Sequence, residues 1–373
     1  MIKVGIVGAG GMGTVHYHNY RHLEDCEVAG VVTRSPAGKA KAAEWGVPAF
    51  DTVQALVEST GADVVDVCTP TYLHKTHVSQ ALEAGAHVIV EKPCALTRAD
   101  AQAMFGLARA RGRHLYVAQV LQFSREVEVL RRLVEEGTYG RPLDALFQRL
   151  SARPEWAQGG WLFDREKSGL VPFDLHIHDL DVICGLFGVP QQVQCCSCGG
   201  EDRGFQELYR WEYRCGGVNV AAEAAWLNAS IPFTAQWRVY FERAAVIYDG
   251  QTVTAYPYGE EPVTFDTEDP VKIPTGIRAK MEEEWVLKCY PRSGLGFKYR
   301  LQLNNTVGII DSDYYYSDNE GHIFAKLTND TNEGKTVEIS TGTGFMQGIF
   351  VEYGITVDDE AEGIRNGGFG STS

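Results

Sequence analysis

The chain has 373 residues, enough for two or three domains, and its 44% hydrophobic residues support sizeable cores and exclude global disorder. The formal net charge of −15, without a basic patch to hold a phosphate backbone, predicts that nucleic acid is not a partner. No apolar run reaches the length of a membrane span. The nine cysteines, with no signal peptide ahead of the first strand, predict free thiols in a cytoplasmic protein.

The first predicted strand, residues 4–7, is a short apolar run without a polar face, typical of a strand buried in a parallel sheet. It leads into a G-x-G-x-x-G motif and a helix predicted over residues 14–26. In that motif Gly8 permits a tight turn, Gly10 leaves room for a pyrophosphate, and Gly13 lets the helix pack close to the strand. The helix N-terminus would offer N–H groups to the phosphates. The alternative is a glycine-rich turn without a ligand.

The second predicted strand, residues 27–33, ends without the carboxylate that holds the ribose of NAD. Thr33, Arg34 and Ser35 stand there instead. Because an arginine can pair with a 2′-phosphate, the sequence favours NADP over NAD. In the alternative interpretation, Arg34 only covers the adenine.

Strands and helices alternate through residue 118, which predicts an α/β Rossmann domain with a doubly wound parallel sheet over residues 1–120. The further strands are predicted at 62–68, 87–90 and 114–118, and the further helices at 39–45, 77–84 and 98–110. Two of these strands end in Thr69-Pro70 and in Glu91-Lys92-Pro93. Since ligands bind beyond the carboxyl ends of such strands, Lys92 is expected beside a nicotinamide, where it could hold or deliver a proton.

Residues 121–268 are predicted to form an α+β domain with a largely antiparallel sheet. Its helices are predicted at 126–136 and 174–187, and its strands at 206–214, 218–226, 233–241 and 245–248. At α-helical spacing Asp174, His178 and Asp181 share one face, so Asp174 could fix the tautomer of His178 for acid–base work. The alternative is a structural His–Asp pair. No metal site is predicted: His176 points elsewhere, and the C-x-x-C at Cys195 lacks a second pair.

These motifs together resemble the glucose-fructose oxidoreductase / inositol dehydrogenase (Gfo/Idh/MocA) family over residues 1–266. The resemblance implies an NAD(P)-dependent enzyme that transfers hydride reversibly between the nicotinamide and a CH–OH group of a sugar or polyol. It implies Lys92 and His178 as the catalytic pair, with Asp174 holding the substrate. The predicted cofactor contacts are Gly8, Gly10, Gly11, Met12, Gly13, Thr33, Arg34, Thr69, Pro70, His74, Glu91 and Lys92. A homo-oligomer is expected.

Residues 271–373 are dense in Gly, Asn, Asp and Tyr and are predicted to be all-β. Four blocks, at 291–296, 305–314, 344–347 and 365–372, resemble the trimeric dUTP diphosphatase (dUTPase) family. The resemblance implies a nucleotide site in which Asp311 activates a water, Tyr314 packs on the deoxyribose and Phe369 stacks on uracil. The implied dUTP-binding residues are Arg292, Ser293, Gly294, Asn305, Gly308, Asp311, Tyr314, Gln347, Arg365 and Phe369.

Each resemblance lacks the end that faces the other. The first part lacks the closing helix of its family after residue 265, and the second lacks the opening block, whose aspartate holds the magnesium–triphosphate. We therefore expect both parts to be truncated, the dUTPase-like part to be inactive, and the join near residues 269–270 to mark a fusion or chimera. Mg²⁺ would be a cofactor only if that part were active. In the alternative interpretation, the chain is a dUTP diphosphatase with an inert Rossmann extension.

Overall fold

The computed structural model describes residues 1–23, 25–155, 158–201, 204–265, 271–317, 320–329, 337, 339 and 342–353. The chain divides into two compact units, Met1–Thr267 and Glu268–Ser373. The predicted join at residues 269–270 lies outside the described residues.

The first unit begins with a six-stranded parallel sheet in the order β3-β2-β1-β4-β5-β6. The strands are β1 Ile2–Val7, β2 Cys26–Val32, β3 Ala49–Phe50, β4 Val64–Val67, β5 His87–Glu91 and β6 Leu115–Ala118. The helices between them are α1 Gly11–Tyr20, α2 Pro36–Glu44, α3 Val53–Thr60, α4 His74–Glu83 and α5 Arg98–Ala110. The predicted Rossmann sheet is therefore confirmed.

Local sequence explains where several of these helices begin. The hydroxyls of Ser35, Thr52 and Thr97 accept hydrogen bonds from the backbone N–H groups three residues on and so cap α2, α3 and α5. Helix α1 was predicted over residues 14–26 but begins inside the glycine loop and ends at Tyr20, since β2 already starts at Cys26. The end of the glycine loop therefore belongs to the first turn of the helix.

The rest of the first unit is an eight-stranded sheet in the order β14-β13-β12-β11-β7-β10-β9-β8. Its elements are α6 Arg125–Glu136, β7 Pro142–Ala152, α7 Arg165–Ser168, α8 Ile177–Phe187, β8 Gln192–Cys198, β9 Leu208–Cys215, β10 Val218–Leu227, β11 Thr234–Phe241, β12 Ala244–Tyr248, β13 Val253–Pro257 and β14 Val263–Phe265. Neighbouring strands are antiparallel except β7 and β10. The predicted largely antiparallel sheet is confirmed, although the sequence analysis missed its central strand β7.

One core joins this sheet to α6 and α8. Leu130 and Ile183 come from the two helices, and Phe147, Trp226 and Phe241 come from the sheet; all five are almost fully buried. Just before α8, residues Pro172–His176 form a π-helical turn. That turn carries Asp174 towards the parallel sheet.

The second unit contains two three-stranded sheets, β15-β19-β17 and β18-β16-β20. Its elements are β15 Val271–Pro274, β16 Trp285–Pro291, α9 Ser293–Tyr299, β17 Leu301–Leu303, β18 Gly308–Ile310, β19 Phe324–Asn329 and β20 Met346–Glu352. Leu287, Tyr314 and Leu327 belong to its core. The described residues of this unit form six strands and one α-helix, and that helix, α9, occupies most of the 291–296 block, so an all-β segment stays a prediction.

Candidate active site

The glycine loop between β1 and α1 has the shape that the motif predicts. Gly8 has a φ of +103°, a conformation that favours glycine. A Cβ on Gly13 would lie 1.9 Å from the carbonyl oxygen of Gly8, so loop and helix touch backbone to backbone. A Cβ on Gly10 would meet nothing within 4 Å, and no side chain caps the start of α1. Gly11 and the half-exposed Met12 form the first helical turn. The loop therefore has open space and free N–H groups that fit a dinucleotide phosphate.

Two strand ends flank this loop. Thr33 is buried after β2, and Arg34 next to it is exposed. After β4, the buried hydroxyl oxygen of Thr69 has no hydrogen-bond partner among the described residues, and neither does the buried Oε1 of Gln119 after β6. Buried polar atoms normally have partners. Their lack of partners at the carboxyl edge of the sheet suits a polar ligand.

His74 joins the two turns that carry the motifs. It is 1% exposed, with Nδ1 lying 2.9 Å from the carbonyl oxygen of Pro93 and Nε2 lying 2.8 Å from that of Thr69. The side chain thus fixes the Thr69-Pro70 turn against the turn that contains Lys92. Its predicted direct contact with the cofactor stays a prediction.

Lys92 is held by the π-helical turn. Its Nζ donates to Oδ1 of Asp174 at 3.0 Å and to the carbonyl oxygen of Asp174 at 2.8 Å. Both side chains are mostly buried, with 17% and 19% of their surface exposed. Since an ammonium has three protons, two of these bonds leave one proton for a ligand oxygen.

His178 lies close to this pair but does not bond to Asp174. Its buried Nδ1 has no partner in the described part of the chain. Burial, followed by the nearby charges of Lys92 and Arg149, lowers the pKa of His178 to about 3, so the imidazole is neutral at physiological pH. A neutral ring with an open nitrogen can accept or donate one hydrogen bond.

The expected hydrogen bond between Asp174 and His178 is not formed. The π-helical turn Pro172–His176 changes the spacing between Asp174 and α8, so the predicted pairing of Asp174 with His178 is wrong. Asp174 instead meets Lys92. Asp181 accepts a hydrogen bond from Nε2 of Gln122 at 2.5 Å.

Two neighbours of His178 are structural. Asp179 forms a buried two-pronged ion pair with Arg149 of β7, with N–O distances of 2.8 and 3.0 Å. His176 stacks on Trp211, with ring centroids 3.8 Å apart, and its Nε2 lies 2.7 Å from the hydroxyl of Tyr213. These contacts attach α8 to the large sheet and so fix the position of His178.

A buried polar cluster, which was not predicted from the sequence, lies under the Lys92 turn. His16 of α1 lies with Nδ1 2.7 Å from Asp66 and with Nε2 3.0 Å from Glu91. Tyr20 and Cys68 also donate to Asp66. The donor atoms of His16, Asp66 and Cys68 lie within 4.8 Å of one another, but hydrogen bonds already join them. A carboxylate inside the apolar strand β4 was the available signal, because a buried charge requires a partner.

A cavity of about 340 Å³ opens beside the turn that contains Lys92 and Pro93. Gln119, Phe173 and Ile177 line it, together with the turn that follows Pro93. It provides a mixed polar and apolar space next to the Lys92 turn.

In the second unit, two cavities of about 530 Å³ each contain predicted nucleotide contacts. Asn305, Gly308 and Tyr314 line the first, whereas Ser293 and Gln347 line the second. The structure describes only some of the other predicted dUTP-binding residues. The Arg292 side chain donates to the carbonyl oxygen of Gly344, Gly294 lies in α9, and Asp311 directly follows β18. Arg365 and Phe369 lie outside the described residues.

The sequence matches two family descriptions in the first unit. Residues 2–119 match "Oxidoreductase family, NAD-binding Rossmann fold", and residues 127–246 match "GFO/IDH/MocA C-terminal domain". The chain belongs to the Gfo/Idh/MocA family over these residues. As a member of that family it has the expected order of domains, with the Rossmann domain first.

Two further proteins illustrate this family match. D-glucoside 3-dehydrogenase of Escherichia coli K12 is 33% identical over 195 residues, which cover 51% of this chain and 55% of that protein. An NAD binding oxidoreductase from Klebsiella pneumoniae has a similar fold, with a TM-score of 0.64 at 22% identity, covering 70% of this chain and 79% of the other. The chain spans about half the length of the curated relatives that its first unit matches.

A separate similarity involves a nucleotide hydrolase. The deoxyuridine 5′-triphosphate nucleotidohydrolase of Lactococcus lactis IL1403 is 43% identical over 115 residues, which cover 30% of this chain and 75% of that protein.

Among the described residues, none of the helices is both long and apolar enough to cross a bilayer.

Proposed function

We propose that the first unit is an NAD(P)-dependent oxidoreductase that acts on a CH–OH group of a sugar or polyol. The family assignment and the open glycine loop support a dinucleotide. The observation that carries the proposal is the arrangement of Lys92, Asp174 and His178 at the carboxyl edge of the parallel sheet. A bound nicotinamide would accept or return the hydride.

The protein's own residues then handle the substrate oxygen and its proton. Lys92 uses two of its protons on Asp174 and directs the third to the substrate hydroxyl or carbonyl oxygen, where it stabilises negative charge as the carbon is oxidised. The open nitrogen of His178 accepts the hydrogen bond that the hydroxyl donates, takes up that proton as the hydride leaves the carbon, and returns it in the reverse reaction. Asp174 sets the orientation of Lys92, so the three residues act as one unit.

The test uses the full chain, both nicotinamide cofactors, and methyl α-D-glucoside and myo-inositol as substrate probes. Lys92→Met should bind cofactor normally but lower turnover by about 10²–10⁴-fold, the usual contribution of a positioned acid or base. Lys75→Met is the matched control, because Lys75 is an exposed lysine whose partner is Asp100. Unchanged turnover in Lys92→Met would remove Lys92 from the mechanism.

The second candidate function is dUTP hydrolysis by the second unit. We propose that the second unit resembles a dUTP diphosphatase but does not carry out this reaction. The similarity to the Lactococcus lactis enzyme and the cavity lined by Asn305, Gly308 and Tyr314 support a nucleotide site. The absence of the opening block in the sequence supports inactivity and a fusion of two coding regions. Amplifying genomic DNA across codons 269–270 tests the fusion, since a continuous product shows that the join exists in the genome.

A further inference from the structure

The buried cluster under the Lys92 turn connects three elements that meet at the dinucleotide loop. His16 belongs to α1, two residues after the first turn that would bind phosphate. Asp66 belongs to β4, and Glu91 is the last residue of β5. The three side chains have little exposed surface, at 14%, 0% and 9%.

The hydrogen bonds fix the charge of the histidine. Each ring nitrogen of His16 lies within 3.0 Å of a carboxylate oxygen, and an ionised carboxylate only accepts hydrogen bonds. Both nitrogens must therefore donate, which requires the imidazolium form. Burial disfavours this charge, but the bonds to Asp66, Cys68 and Glu91 outweigh it and raise the pKa of His16 to about 12.

Glu91 connects His16 to the turn that contains Lys92. While its Oε1 accepts from His16, its Oε2 accepts from the backbone N–H of Lys92 at 3.0 Å. With both oxygens occupied, the Glu91 carboxylate has one orientation. This hydrogen bond fixes the backbone of Lys92, and therefore the Cα atom from which its side chain extends.

We propose that His16 is a positioning residue for Lys92, acting through Glu91 and using Asp66 as its anchor in β4. This inference rests on the proposed function, because positioning matters for turnover only if Lys92 handles the substrate oxygen. It assigns Glu91 to the support of the turn. It also couples the helix that would bind the cofactor phosphates to the residue that would meet the substrate.

The first measurement is independent of turnover. Limiting acetic anhydride labels lysines according to their access and orientation, and mass spectrometry of peptides reports each site. In His16→Gln, labelling of Lys92 should rise severalfold. Labelling of Lys41 should stay constant, since its Nζ donates to Thr14 of α1 and reports whether that helix is intact. The control is His18→Gln, an exposed histidine on the same helix.

A double-mutant cycle tests the route through Glu91. If His16 acts through that carboxylate, Glu91→Gln should raise Lys92 labelling in the same way, and adding His16→Gln should change little. Additive effects of the two substitutions, or unchanged Lys92 labelling in His16→Gln, would overturn the proposal. A parallel rise at Lys41 and Lys92 would also overturn it, because His16 would then only hold the fold.

Kinetics separates this inference from the proposed function. His16→Gln should lower kcat by about 10–10²-fold, the cost of a small misplacement of a reacting group, while the KM for cofactor changes little. Equal loss of cofactor binding and turnover would contradict positioning. If the wild-type chain turns over neither probe while the labelling result holds, then the proposed function fails and the structural coupling stands.

Discussion

Arg34 stands where a dinucleotide-binding domain that takes NAD carries a carboxylate. It is exposed beyond β2. We predict that Arg34→Ala weakens binding of NADPH by about 1.5–3 kcal/mol, the scale of a charge-assisted contact, and leaves NADH little changed. Fluorescence titration with both cofactors measures this. Lys39→Ala is the control, because Lys39 is a nearby cation already paired with Asp51. Equal losses for NADPH and NADH would rule out a 2′-phosphate contact.

The charge on His16 also predicts how the free energy of unfolding depends on pH. Its pKa is raised from 6.5 to about 12 in the folded protein, so its contribution is complete below pH 6.5. As the pH rises from 6.5 towards 12, the contribution is lost, since the unfolded chain no longer carries that proton. The free energy of unfolding should therefore fall over this interval, and it should fall less steeply in His16→Gln. Urea unfolding between pH 7 and pH 10 measures the difference. Identical slopes would show that His16 is neutral.

The motif at the end of a parallel strand identified Lys92 as a candidate, whereas helical spacing and the family resemblance identified Asp174 and His178. The support beneath them was not predictable in the same way. His16 and Asp66 are 50 residues apart in the chain, and their contact depends on how α1 lies on the sheet. The sequence contained only one half of the signal, a carboxylate in an apolar strand.

At the level of elements, the β1–α1 connection offers a matched pair of glycines. Gly13→Ala would place a Cβ against the Gly8 carbonyl oxygen, and neither backbone can move freely, so we predict a lower free energy of unfolding. Gly10→Ala has open space and should fold like the wild type. If a pyrophosphate occupies that space, Gly10→Ala should still lose cofactor affinity. Thermal unfolding and cofactor titration together separate the two effects, and full affinity in Gly10→Ala would place the phosphates elsewhere.

Two elements show where periodicity is not sufficient. A π-helical turn cannot be distinguished from an α-helix by residue spacing alone, so Asp174 was assigned to the wrong face. Strand β7 was missed although it lies at the centre of its sheet. It contains Asp144, Gln148 and Arg149, and the buried Arg149 is acceptable there only because Asp179 of α8 pairs with it. That partner comes from the tertiary structure.

At the level of the whole molecule, the two units show similarity to proteins of different chemistry. The sequence analysis located this change near residue 270, and the chain divides into compact units at residue 267. Composition was sufficient for that prediction, because the sequence becomes dense in Gly, Asn, Asp and Tyr, with short strand patterns and turn signals, from residue 271. The placement of Arg365 and Phe369 was not testable, since they lie outside the described residues.

The last prediction is that the chain does not hydrolyse dUTP. Asn305 and Tyr314, expected at the base and sugar, line one cavity, whereas Ser293 and Gln347, expected at the phosphates, line another, so a single copy does not gather these four residues in one cavity. In the family that these residues resemble, neighbouring subunits supply the separate blocks.

Assembly alone would not complete such a site. A triphosphate carries several negative charges, and metal clamping is a large part of phosphoryl-transfer catalysis. The opening block, with the aspartate that holds the metal–triphosphate, is missing from the sequence before residue 271, and arginines cannot orient a magnesium chelate in its place. The purified chain, incubated with dUTP and Mg²⁺, should therefore release no pyrophosphate above the rate without protein. Asp311→Asn should give the same trace. Steady release that disappears in Asp311→Asn would show instead that the second unit is an active dUTP diphosphatase.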